Sequence, residues 1–303
     1  MIDVPAEPLG PGQVRVRVAA ATVNPTDTFI RTGARTDRDP VKTPPFVPGM
    51  DAAGELVEIG PGVTTGLAVG DRVMAIVLPS GSHGGYRDDL VLPVGSVAPA
   101  PAGASDAEAA TLPMNGLTAR RALDLLALEP GQVLGVTGAA GAFGGYVIQM
   151  AKADGLTVVA DASAADEALV RGLGADTVVR RGEDVADRIR EEFPDGVDGL
   201  ADGAVLNALV LPAVRDGGAV ATVRGYSNDG HRGLRFFSTL VWDYAASGME
   251  NGVVGAALDR LRQQVEEGVL TLRVAATFPV EQAAEAHRRL ENGGVRGRLV
   301  LTF

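Results

Sequence analysis

Hydrophobic and polar positions alternate over Gln13-Val14-Arg15-Val16-Arg17-Val18, which predicts a β-strand with one wet face. Gly54-Glu55-Leu56-Val57-Glu58-Ile59-Gly60 and Asp71-Arg72-Val73-Met74-Ala75-Ile76-Val77 follow a similar rule, and Gly and Pro clusters separate them. Residues 1–101 therefore read as a mostly antiparallel, barrel-like β domain. The pattern then changes. Residues 104–111 and 115–126 read as helices, and from Gln132 onward short apolar runs alternate with helical stretches. Strands are expected at 132–137, 157–161, 177–179, 197–202, 219–223 and 236–241, with helices over 166–173, 185–192 and 206–214. Alternation at this spacing predicts an α/β domain with a doubly wound parallel sheet over 102–244. The tail reads as a helix at 254–267, a short run at 273–276, a helix at 280–290 and a closing apolar strand at 298–303. A terminal strand needs a sheet partner, and the first domain has one to offer. The chain is expected to leave the barrel, build the α/β domain and return over 245–303.

Composition narrows this picture. Aromatics make up 4% of the 303 residues, so the cores must be built from Val, Leu, Ile and Ala. A net charge of −11 argues against nucleic acid or an anionic membrane as partner. No apolar run approaches membrane-spanning length, and the start lacks a basic-then-apolar signal pattern. The chain has no Cys, which excludes disulfides and thiolate metal sites. The expected compartment is the cytoplasm.

The strongest local signal is Thr137-Gly138-Ala139-Ala140-Gly141-Ala142-Phe143-Gly144-Gly145, set between a strand and a helix. Small residues let the backbone turn sharply and approach a pyrophosphate, whose charge sits on free N–H groups at the helix start. The competing reading is a tight α/β turn without a ligand. An acidic residue about 20 residues beyond such a turn bonds the ribose 2′-OH and repels a 2′-phosphate. Asp161 ends the second strand and is a candidate for that role.

Several further stretches occur in a familiar order. They are Val23-Asn24-Pro25-Thr26-Asp27, Pro48-Gly49-Met50-Asp51-Ala52-Ala53-Gly54, Gly70-Asp71, Ala109-Ala110-Thr111-Leu112-Pro113, Gly116-Leu117-Thr118-Ala119, the glycine turn, and Gly293-Gly294-Val295-Arg296-Gly297-Arg298. With them the sequence resembles the medium-chain dehydrogenase/reductase superfamily, and within it the zinc-free quinone oxidoreductase (zeta-crystallin-like) branch. The resemblance implies a GroES-like β-rich catalytic domain and a Rossmann-type nucleotide domain. Relatives usually begin with one or two more strands ahead of the segment matching Val4-Pro5, so the expectation here is either a truncated start or a barrel edged differently.

The resemblance also assigns roles. Zinc-dependent relatives place a Cys where Asn24 stands and a His where Met50 stands; neither replacement is a good zinc ligand, so no metal is expected. Cofactor contacts fall on Thr118, Gly138, Ala139, Ala140, Gly141, Ala142, Phe143, Gly144, Asp161, Ser163, Arg181, Gly225 and Arg298. Asn24 and Asp27 are the catalytic candidates. Asn24 either hydrogen-bonds the cofactor or acceptor, or forms an Asn-Pro turn; Asp27 also suits a helix cap. Relatives carry tyrosines where Phe29 and Arg35 stand, so the proton donor is left open among Tyr226, Tyr244 and water. Arg181 replaces an aromatic residue near the 2′-phosphate and favours NADPH, whereas Asp161 favours NADH. The expected activity is hydride transfer from NADPH to a quinone or α,β-unsaturated carbonyl, without zinc, by a homodimer paired through the sixth strand. Two alternatives remain: an enoyl reductase acting on carrier-tethered or lipid substrates, and a non-catalytic nucleotide-binding protein of the same fold.

Overall fold

The computed structural model describes residues 6–33, 44–228, 230–249 and 252–303. Val4-Pro5 and Arg35 lie outside them. The chain forms two compact units: one contains residues up to Met114, Trp242–Gly268 and Leu272–Phe303, the other Asn115–Val241 and Val269–Thr271.

The first unit begins with β1 (Gln13–Val23), α1 (Pro25–Thr32), β2 (Asp51–Ile59), β3 (Arg72–Ile76), β4 (Asp89–Pro93) and β5 (Val97–Pro99), followed by α2 (Asp106–Ala109). In β1 the alternation holds: Val14, Val16 and Val18 are buried in one apolar cluster with Leu56, Val73, Leu90 and Leu92. Arg15 and Arg17 face the other way and pair across the strands with Glu58, Asp89 and Glu55. From Ala20 to Val23 both faces of β1 are buried. α2 is shorter than expected. Ser105 and Glu108 close its start with a capping box, and it ends within one turn.

α3 (Pro113–Leu126) leads into β6 (Val133–Thr137), α4 (Ala142–Ala153), β7 (Thr157–Ala162), α5 (Glu167–Gly172), β8 (Thr177–Arg180), α6 (Val185–Glu192), β9 (Val197–Asp202), β10 (Val214–Thr222) and β11 (Arg235–Ser238). All pairings in this second sheet are parallel, in the order β11-β10-β9-β6-β7-β8. That is the doubly wound order, with the reversal at β6. The stretch expected as a helix at 206–214 is a 3₁₀ segment over Asn207–Ala213, with Pro212 inside it. Proline removes a donor and crowds the preceding turn, so a full α-helix does not form. β11 ends at Ser238, where Thr239 bonds the Thr222 carbonyl through its N–H and its hydroxyl.

The chain then adds α7 (Val241–Gly248), α8 (Val253–Glu266), β12 (Val274–Pro279), α9 (Ala283–Glu291) and β13 (Arg298–Thr302). β13 pairs antiparallel with the second half of β1, Ala20 to Val23, while β4 pairs with the first half, Gln13 to Arg17. One long strand thus joins the two ends of the chain, in the sheet order β12-β13-β1-β2-β3-β5. Among the described residues β4 pairs with β1 alone. No helix among them is long and apolar enough to cross a membrane.

Candidate functional site

In the second unit, the glycine turn joins the central strand β6 to α4. Leu134 and Val136 are fully buried, as expected for a strand covered on both faces. Gly138 adopts φ +67°, and a Cβ there would come within 3.0 Å of the Gly203 carbonyl carbon. Gly144 is fixed by space: a Cβ would lie 2.5 Å from the Gly138 carbonyl oxygen and 2.7 Å from the Ala139 Cα. Ala140, Ala142 and Phe143 are partly exposed, and Gly141 caps α4 without a side chain. The first amides of α4 have no intrahelical acceptor, so the turn is a cradle of donors that only small residues permit. Its shape and donor set fit a dinucleotide pyrophosphate.

Two buried carboxylates flank this turn from the neighbouring strands. Asp161, at the end of β7, accepts the Ala139 N–H at 3.1 Å. Burial pushes its pKa up, opposed by the Ala139 amide and by the Arg181 charge. Asp202, at the end of β9, accepts the Thr137 hydroxyl at 2.6 Å. Arg181 is exposed just after β8, and its N–H donates to the Ala162 carbonyl at 2.8 Å. The Ser163 hydroxyl donates to Asp166 at 2.6 Å. Thr118 is buried on α3. Gly225 follows β10 with φ +71°, in open enough space that conformation alone requires the glycine. Tyr226 packs edge-on against Phe236 at 6.1 Å.

In the first unit, Asn24, Asp27 and Arg298 belong to one buried network. Arg298 Nη2 donates to Asn24 Oδ1 at 2.6 Å, to Asp51 Oδ2 at 3.0 Å and to the Thr22 hydroxyl. Asn24 Nδ2 donates to Asp51 Oδ2 at 2.9 Å and to the Thr22 carbonyl at 3.4 Å. Asp51 Oδ1 accepts the Met114 N–H at 2.6 Å. Arg298 is 4% exposed, and Asn24 and Asp51 are fully buried. The guanidinium is therefore an internal cation neutralising Asp51.

Asp27 continues the network without a cation. Its Oδ2 accepts the Asn24 N–H at 2.8 Å, the reciprocal half of a capping box, and its Oδ1 accepts the Gly49 N–H at 2.9 Å. Tyr86 donates its hydroxyl to Asp27 at 3.1 Å and lies 3.1 Å from His287 Nε2. Tyr86 has one proton to give, so His287 donates from Nε2, and among the described residues its buried Nδ1 meets no partner. Complete burial pushes Asp27 up to about 7, against the pull of its hydrogen bonds. Burial, and then Asp27, raise the Tyr86 phenol well above its ordinary range, and burial lowers His287.

The sequence pattern did not single out Thr22, Asp51, Tyr86, His287 or Asp202 as site residues. The readable signal was an acidic residue at the end of an apolar strand: Asp51 opens Asp-Ala-Ala-Gly and Asp202 closes β9. Among the described residues no group of three or more His, Cys, Asp or Glu could hold a metal ion.

Comparison with known proteins agrees with this architecture. The family model for the alcohol dehydrogenase GroES-like domain matches residues 10–102, and that for zinc-binding dehydrogenases matches residues 173–301. The chain is 31% identical to 2-haloacrylate reductase from a Burkholderia species, covering 96% of this chain and 91% of that protein. It is 32% identical to pikromycin polyketide synthase component PikAII from Streptomyces venezuelae, over 98% of this chain but only 8% of that much longer protein. Among solved structures, an NAD-dependent alcohol dehydrogenase superposes with a TM-score of 0.84 at 30% identity, covering 100% of this chain and 95% of that one. Mycobacterial Rv1454c complexed with NADPH gives 0.84 at 25% identity, with the same coverage. The protein is a member of the medium-chain dehydrogenase/reductase superfamily of oxidoreductases. Its homologues are quinone oxidoreductases and enoyl or alkenal reductases.

Proposed function

We propose that the protein is an NADPH-dependent, zinc-independent reductase of quinones or α,β-unsaturated carbonyl compounds. One observation carries the zinc-free half of this reading: the Asn24 amide is bonded to the Arg298 guanidinium, so a cation already occupies the side chain that a metal would need. The reduced nicotinamide, when bound, supplies hydride from its C4, which an electron-poor acceptor takes without a Lewis acid.

The chain's own part is binding and positioning. The first turn of α4, Ala142 to Gly144, offers its amides to the pyrophosphate, and Gly138 to Gly141 shape the approach. Asp161 and Arg181 stand by the adenosine ribose: the carboxylate is partly committed to the Ala139 amide, and the exposed guanidinium can pair a 2′-phosphate bidentately. NADPH is thus preferred and NADH tolerated, with Ser163, Thr118 and Gly225 as further cofactor contacts. Asn24 acts as a positioning group, because its amide nitrogen is already taken, and Asp27 holds the start of α1. The assembly we propose is a cytoplasmic homodimer formed through the open edge of β11.

The polyketide synthase relative favours a second reading, an enoyl reductase for carrier-tethered substrates. Loss of nicotinamide absorbance should be followed in stopped flow with free quinones, free enones and the same enones on a carrier, with and without chelator. Turnover of free acceptors, unchanged by chelator, is expected. Turnover of tethered enones alone moves the protein to the second reading. A bound cofactor that no acceptor oxidises, or about one zinc per chain, overturns the proposal.

A further inference from the structure

The loop after β9 is strained and lies against the glycine turn. Val205 and Asn207 both occupy the left-handed region, at φ 59° and φ 55°. For a β-branched residue this is a true outlier. Such strain persists only where the surroundings impose it. Here the surroundings are two side chains. The Asp202 carboxylate accepts the Leu206 N–H at 3.1 Å on one oxygen and the Asn207 N–H at 2.8 Å on the other. Thr137 accepts the Ala204 N–H on its hydroxyl at 3.2 Å and the Gly203 N–H on its carbonyl at 3.2 Å. The same Thr137 hydroxyl donates to Asp202 at 2.6 Å, which locks the two together.

Amide by amide, the loop has one donor left. Gly203, Ala204, Leu206 and Asn207 each bond Thr137 or Asp202; among the described residues the Val205 N–H takes no acceptor. Val205 is only partly buried. The loop also touches the turn directly, since the space a Gly138 Cβ would need is filled by the Gly203 carbonyl carbon and the Ala204 nitrogen, at 3.0 and 3.1 Å. A loop held in strain against a phosphate cradle, with one amide unspent, is built to present that amide to a ligand.

We propose that Asp202 is a positioning residue for dinucleotide binding, acting through Thr137 and the 203–207 loop to aim the Val205 N–H at an oxygen of the bound dinucleotide. This rests on the dinucleotide reading given above. The ligand atom is an acceptor of the pyrophosphate or of the ribose next to it, because an N–H meets only acceptors and the cradle begins at Gly138. Asp202 itself touches no ligand, since it is fully buried.

The test measures binding without any acceptor substrate. Titrations of NADPH and NADH should be followed for wild type, Thr137→Val, Thr137→Ser and Asp202→Asn, with melting curves alongside. Thr137→Val and Asp202→Asn should each weaken both dinucleotides about tenfold, and Thr137→Ser should stay within about twofold of wild type, as expected for one lost or kept hydrogen bond to a charged group. A purely packing role for Thr137 would make Ser as weak as Val. Should a variant fail to fold, amide exchange on the wild type decides: saturating dinucleotide should slow exchange at Val205. Unchanged exchange at Val205 under saturation, or full affinity in folded Thr137→Val, overturns the inference. A wild type that binds neither dinucleotide overturns instead the reading on which it rests.

Discussion

The glycine turn and the Arg298 network both rest on buried carboxylates, yet they neutralise them differently. Beside the turn, Asp161 and Asp202 accept backbone amides and a hydroxyl, and no cation touches Asp202 in any described bond. In the other unit Asp51 meets a guanidinium at 3.0 Å with almost no exposure on either side. A carboxylate answered by amides fixes backbone shape, which is what a ligand cradle needs. A carboxylate answered by a distant cation ties together pieces of chain remote in sequence, here residues 22–51 and 298. Asp27 lies between these cases: its partners among the described residues are two amides and a phenol, and burial pushes its pKa up to about 7.

The sharpest way to break this contrast is to remove the cation. Arg298→Met leaves Asp51 buried and uncompensated, and should cost on the order of 3–5 kcal/mol of stability in denaturant unfolding. A loss below about 1 kcal/mol would mean that the amide and hydroxyl partners of Asp51 suffice on their own.

The turn should be sensitive to shape instead. Gly144→Ala forces a methyl to 2.5 Å from the Gly138 carbonyl oxygen. The expected cost is about 1–3 kcal/mol of overpacking, together with at least about tenfold weaker dinucleotide binding. Calorimetric titration that finds affinity unchanged would show that the cradle tolerates widening.

Asp27 predicts a pH signature. Its folded pKa of about 7 lies above the ordinary 3.8, so between these values the folded state binds more protons than the unfolded one. Its contribution to stability therefore falls as pH rises through that window and is constant above it. Asp27→Asn offers one acceptor where Asn24, Gly49 and Tyr86 all donate, and should cost about 1–3 kcal/mol at pH 5. The gap to wild type should narrow toward pH 8. A gap that stays level from pH 5 to 8 contradicts the raised pKa.

The smallest expected effect is cofactor choice. Arg181→Ala should lower the NADPH-over-NADH ratio of kcat/KM about tenfold, roughly 1.4 kcal/mol. If that ratio is untouched while Asp161→Ala abolishes activity with NADH, the assignment of the two residues is reversed and the protein prefers NADH.

These regions also differ in how far the sequence disclosed them. The alternating strands and helices of the second unit, its glycine turn and the return of the last strand to the first unit's sheet follow from periodicity, turn chemistry and the need of an apolar terminal strand for a partner. These are local signals: each is carried by fewer than about ten consecutive residues. The 206–214 stretch has the apolar spacing of a helix, but Pro212 makes it a 3₁₀ segment. No pattern along the chain says that residue 298 will reach residues 22, 24 and 51, or that Tyr86 will stand between Asp27 and His287. Those contacts exist because β13 pairs with β1 and α9 packs in one apolar cluster with Val23, Leu299 and Leu301. Left-handed Val205 is likewise a product of tertiary bonds, since valine by itself disfavours that conformation. The sequence determined which elements form and where the chain turns tightly, because backbone sterics and hydrophobic spacing act over a few residues. Only the tertiary structure decided which buried charges meet, because burial removes water and leaves each polar group dependent on partners brought in by the fold.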